Sequence, residues 1–133
     1  MEIWEEIYEN VIPKGNYCTS IKNGEISGLN IELESSEYIV KIYFGAVSAL
    51  RMLDEGILLK EIFCEDAVRT FKDKKFSNII YKIKGGEFDR FVKSACNGLF
   101  DYLDLKHFIV VTMNYVIEII TEWEPSIEVN KKL

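Results

Sequence analysis

The stretch LKHFIVVTMNYVIEIITEWEP, residues 105–125, constrains this chain more than any other. Two apolar runs, 107–111 and 115–120, flank a short polar break at residues 112–114. Both runs are rich in β-branched and aromatic residues, which suit a pleated, half-buried surface. A single helix would gather its apolar residues on one stripe, and here they lie all round. The spacing therefore predicts a hairpin: two adjacent antiparallel strands near the middle of a sheet.

The rest of the chain reads as support for that hairpin. In residues 2–11, Ile3, Trp4, Ile7, Tyr8 and Val11 recur at helical spacing, with Glu2, Glu5 and Glu6 at the end where the helix dipole favours acids. Pro13 and Gly15 stop that pattern. A meander follows over residues 17–21, 26–33 and 37–44, with turns expected at Asn23-Gly24 and Ser35-Ser36. Residues 46–71 are ambiguous between strand and helix. The reading adopted is a bent strand as far as Arg51 or Met52, a turn at Asp54-Glu55-Gly56, a strand over 57–63 and a short helix within 65–71. Residues 76–84 read as a strand broken by Gly85-Gly86. Phe88, Phe91, Val92, Ala95, Leu99 and Tyr102 then make an apolar stripe that predicts a helix over 88–103. Pro125 should end the regular pairing, and residues 130–133 read as a loose tail. The fold class that results is α+β: one globular domain over 1–133, with a mainly antiparallel sheet of about five to seven strands packed against an N-terminal helix and the long helix near 88–103.

Composition narrows the partners. Hydrophobic residues make up 48% and charged residues 29% of the 133, ordinary for a globular chain. No apolar run approaches the roughly 20 residues needed to span a bilayer. The formal charge of −6 argues against a nucleic-acid or anionic-membrane partner, since both need a basic face, and permits a basic one. MEIWEEIYEN carries acids where a signal peptide would carry Lys or Arg, so a cytoplasmic location is expected. Cys18, Cys64 and Cys96 are odd in number and form no CxxC pair, which speaks for buried free thiols rather than disulfides or zinc.

Few residues offer chemistry. His107 is the one histidine, so it is the only candidate base for an enzyme, and a structural or surface role is the favoured reading. No metal site, cofactor or catalytic set is expected. Acids fall in groups, among them Asp101/Asp104 and Glu118/Glu122/Glu124, the latter placed by alternation on one strand face. Such a face would meet Lys and Arg of a partner or simply face solvent. Arg51 with Asp54 and Glu55 forms a polar set in apolar surroundings. It reads either as an internal ion-pair network fixing a bend or as a partner-binding edge. A pocket between sheet and helix, lined by Trp4, Phe91, Tyr102 and Trp123, would instead make the chain a small-ligand binder.

Two runs carry a resemblance. VKIYFGAVSALRMLDEG supplies Phe44, Val47, Leu50, Arg51, Asp54 and Glu55; KHFIVVTMNYVIEIITEWEPSIEV supplies His107, Phe108, Glu118, Glu124 and Pro125. Together they resemble small bacterial immunity proteins encoded beside polymorphic secreted toxins, with Leu50 at a position where that group carries an aromatic. The resemblance implies a non-catalytic, cytoplasmic protein that binds and neutralises a cognate toxin domain, often a nuclease. The residues expected to meet that domain are Arg51, Asp54, Glu55, Asp101, Asp104, Glu118, Glu122 and Glu124. The oligomeric state is left open.

Overall fold

The computed structural model describes residues 2–54, 67, 69, 71, 76, 78–98 and 103–133. The predicted hairpin is its centre. β7 (Lys106–Val111) and β8 (Tyr115–Thr121) pair antiparallel, His107 opposite Ile120 and Val111 opposite Val116. Thr112 closes the turn: its N–H donates to the Tyr115 carbonyl at 2.9 Å and its hydroxyl accepts the Tyr115 N–H at 3.2 Å. Phe108, Ile109, Val110, Val116, Ile117, Ile119 and Ile120 are all buried. The runs are apolar rather than alternating because both faces of these strands are covered.

β1 (Ile3–Glu6), β6 (Ile80–Lys84) and β5 (Ala49–Asp54) complete a five-stranded sheet in the order β1-β6-β7-β8-β5. A second sheet has the order β2-β3-β4-β9, from β2 (Cys18–Gly24), β3 (Gly28–Glu34), β4 (Tyr38–Gly45) and β9 (Ser126–Lys131). Every pairing among the described strands is antiparallel. The sheets share one core, in which Leu29, Ile31, Leu33, Val40, Ile42 and Phe44 meet Ile80, Phe108, Val110, Ile117 and Ile119. On the other face of the larger sheet lie two smaller clusters. Trp4, Tyr81, Ile83, Ile109, Val111 and Val116 pack with Ala67, Phe71 and Phe76, and Ile120 packs with Phe88 and Val92 of helix α1 (Glu87–Cys96). Among the described strands the chain changes sheet three times, between β1 and β2, between β4 and β5 and between β8 and β9. The crossing from β4 to β5 is tied to β8 by the Thr121 hydroxyl, which donates to the Ala46 carbonyl at 3.0 Å, and by the Ser48 N–H, which donates to the Ile120 carbonyl at 2.8 Å.

Five expectations are corrected. The expected N-terminal helix is the strand β1. A ten-residue helix is marginal alone, whereas the free edge of β6 offers backbone partners from Lys84 to Tyr81 and a slot for Trp4 against Phe71, Phe76 and Tyr81. The single sheet is two sheets. The turn expected at Asn23-Gly24 lies at residues 25–27, because Gly28 takes φ +70° and runs so close to Gly45 that a Cβ there would sit 2.5 Å from the Gly45 carbonyl carbon. Pairing resumes after Pro125 in β9, which takes in residues 130 and 131 of the expected tail and whose Ile127 and Val129 alternate into the core. The long helix is α1, which ends where Asn97 and Gly98 adopt left-handed geometry, φ 49° and 80°. Only Phe88 and Val92 of its expected stripe are buried within α1, and Phe91 is exposed.

Other expectations hold in whole or in part. The Ser35-Ser36 turn is present, with the Ser35 hydroxyl accepting the Tyr38 N–H at 3.0 Å. The segment after Gly45 is extended, but as a separate strand in the other sheet that runs from Ala49 to Asp54, not as a bent continuation of β4 to Arg51 or Met52. Ala67, Arg69 and Phe71 are helical. The strand expected over 57–63 lies outside the described residues, as do residues 99–102 of the expected helix. Cys18 is exposed rather than buried, and Cys96 is half-buried.

Candidate functional site

Glu118 sits in the middle of YVIEIIT, an acid in a run otherwise buried on both faces. The register decides its partners. It lies directly opposite Arg51 of β5 on one side and Ile109 of β7 on the other, with His107 two residues along β7 on the same face. The Arg51 guanidinium reaches one carboxylate oxygen with Nε at 2.6 Å and Nη2 at 2.5 Å. The His107 ring reaches the other oxygen through Nε2 at 2.9 Å. Glu118 is completely buried and His107 is 3% exposed. An ionised carboxylate only accepts hydrogen bonds, so Nε2 carries the proton.

Helix α1 closes this network. Glu87 in its first turn accepts a second ion pair from Arg51 Nη2 at 2.9 Å. The Phe88 ring stacks 4.5 Å from the guanidinium carbon and meets His107 edge-on at 6.0 Å. Gly86, the cap residue before α1, lets the backbone lie against the imidazole: a Cβ there would fall 2.9 Å from both Cε1 and Nδ1 of His107. Nδ1 is buried without a hydrogen-bond partner among the described residues. The arrangement binds β5, β7, β8 and α1 together. His107 and a carboxylate do converge beneath the helix, and His107 also borders a crevice of about 290 Å³ that Asp89, Asp104 and Lys106 help to line.

The remaining candidate residues separate. Asp54 ends β5 opposite Tyr115, at the far end of β8 from the turn that holds Glu122 and Glu124. Glu118 was expected on the surface beside Glu122 and Glu124; it is corrected to the interior, because β8 ends at Thr121 and the two later acids belong to the crossing that follows. Asp104, Glu122 and Glu124 do gather at one end of the larger sheet. Lys106 pairs with Asp104 at 3.3 Å and donates to the Glu122 carbonyl at 2.9 Å, and Lys82 lies 3.7 Å from Glu124. Between the two glutamates, Trp123 is 55% exposed. Tyr8 reaches the same place, its hydroxyl donating to Glu124 at 3.3 Å. Burial, then the charge of Glu124, raise the pKa of that hydroxyl. Glu55 and Asp101 lie outside the described residues.

No family model, curated protein or solved structure matches this chain. The site is read from its own geometry. The sequence reading missed Glu87, Phe88 and Gly86 as parts of the Arg51 network, although a lone acid inside a β-branched run is itself a signal that a cation must be near. It also treated Trp123 as a pocket wall. Trp4 is packed among Phe71, Phe76 and Tyr81, Phe91 and Trp123 are both more than half exposed, and Tyr102 lies outside the described residues. Among the described residues, no three His, Cys, Asp or Glu side chains group as metal ligands, and no helix is long and apolar enough to cross a membrane.

Proposed function

We propose that this chain is a non-catalytic binding protein of the toxin-neutralising immunity kind, whose partner is a toxin domain with a basic surface. The observation that carries the reading is Trp123, exposed between Glu122 and Glu124 and close to Asp104. Tryptophan is among the residues most enriched where a few side chains dominate a protein interface. Acids around it favour a basic partner and speed the encounter. The one histidine is taken up in a buried ion-pair network with Glu118, which fits a structural role for it. The motif resemblance supplies the class of partner.

The test is recovery of partners on the tagged protein from its native host, with the toxin system expressed. A toxin domain recovered one-to-one, and lost from the Trp123→Ala protein, bears the reading out. Absence of any such partner from the unaltered protein removes it.

A further inference from the structure

We infer that two copies of this chain pair along β2 into a two-fold dimer. β2 is an end strand of its sheet, bonded to β3 alone among the described strands. Proteins guard such edges with charge, proline or shortness. β1 is four residues long and carries Glu5 and Glu6. β9 carries Glu128 and Lys131, and β5 carries Arg51 and Asp54. β2 has none of these guards: CTSIKNG is seven residues long, without proline, with one charge, and open to solvent along most of its length.

The strand is complementary to itself. An antiparallel two-fold centred on Ile21 pairs all seven residues, Cys18 with Gly24 of the second copy. Half-buried Ile21, already packed on the shared core, then meets its own copy on the inner face. On the outer face Lys22 stands beside Ser20 of the second copy. Ser20 is itself opposite Glu32 on β3. Lys22 and the second copy's Glu32 are therefore two strand spacings apart, about 10 Å between backbones, a span that two long side chains bridge over a serine. Symmetry makes this pair twice.

The same register accounts for Ile26, which is fully exposed at the tip of the β2–β3 turn. Continued past the strand ends, it brings Ile26 to Asn16 of the second copy. Asn16 borders a crevice of about 230 Å³ lined by Tyr17, Phe76, Ile79, Val111 and Met113. Each copy offers one isoleucine and one crevice.

Sedimentation equilibrium on the full chain tests this without any toxin partner. The expected species is twice the 15.5 kDa chain mass. Ile26→Asp and Lys22→Glu should each weaken the dimer about tenfold or more, as loss of a buried isoleucine or reversal of a paired charge does. Lys22→Glu combined with Glu32→Lys and Lys41→Glu should restore it, because every copy then carries the swapped pair and residue 32 keeps an opposite charge across from it on β4. Amides of β2 should exchange more slowly as concentration rises. Both single substitutions are at exposed positions, so loss of folding does not confuse the result. A chain that stays monomeric at every concentration overturns the inference, as does a dimer indifferent to both substitutions.

Discussion

Arg51 and Glu118 are direct cross-strand partners whose charged groups close to 2.5 Å, with the carboxylate wholly out of water and the guanidinium mostly so. A carboxylate placed there alone would be intolerable. With Arg51, His107 and the Arg51–Glu87 contact in place, it joins three strands and a helix at one point.

Removing one member leaves the other buried and uncompensated. Glu118→Ala should lower the unfolding free energy by about 3–5 kcal/mol, read from urea denaturation. The double variant Arg51→Met/Glu118→Leu, which fills the space with apolar volume, should recover most of that loss. A single variant that loses less than about 1 kcal/mol would mean that water reaches the pair.

Gly86 and His107 are coupled by contact. Gly86→Ala should destabilise the protein by about 1–3 kcal/mol, because the added methyl meets a ring wedged between Glu118 and Phe88. In a His107→Ala background the same substitution should be nearly neutral. Strict additivity in that double-mutant cycle would show that the methyl is accommodated some other way.

Alkaline stability should depend on Tyr81. Burial first, and then Glu6, raise its hydroxyl well above the ordinary value of 10.0. The folded protein therefore holds this proton more tightly than the unfolded chain. The stabilisation is complete below pH 10 and is lost as pH rises from there towards the folded value, at up to about 1.4 kcal/mol per pH unit. Tyr81→Phe removes the 2.7 Å hydrogen bond to the Asn78 carbonyl, at about 1 kcal/mol near neutral pH, and should flatten the decline above pH 10. Urea titrations on both sides of that pH separate the two effects; an equally steep decline in the variant would assign the sensitivity elsewhere.

Trp123→Ala should leave thermal stability unchanged, since its ring is largely in solvent. It should weaken the complex with a recovered toxin domain by about 2 kcal/mol, roughly thirtyfold, as an interface anchor does. Calorimetric titration gives the affinity and a melting curve gives the control. An unchanged affinity would place the interface elsewhere on the protein.

Much of the strand content was legible. The paired runs around Thr112, the Ser35 turn and the alternation of Tyr38 to Phe44 each carry a local period that the structure keeps. The N-terminal segment was not legible, because Ile3, Trp4, Ile7 and Tyr8 satisfy a helical spacing as well as an edge strand. The choice between them rests on β6, some 75 residues away. The turn at residues 25–27 was hidden for a similar reason: Asn23-Gly24 is a good local turn, but close approach of Gly45 requires the glycine at 28. β9 and the stop at Asn97-Gly98 were readable and were passed over, the first for its terminal position and the second inside an apolar stripe.

Residue pattern alone specified the central hairpin, since β-branched runs of that length and spacing pack well only as strands covered on both faces. It also determined the acidic balance and left one histidine for any chemistry. That Glu118 is internal while Glu122 and Glu124 are not came from the folded arrangement, because burial depends on where β8 stops and what lies across from it. That arrangement alone brought Arg51, His107 and Glu87 to one carboxylate, since they come from segments up to 67 residues from it in the chain and meet through strand register. Local propensity acts over a few residues; register and layer order are set by the whole chain closing on one core.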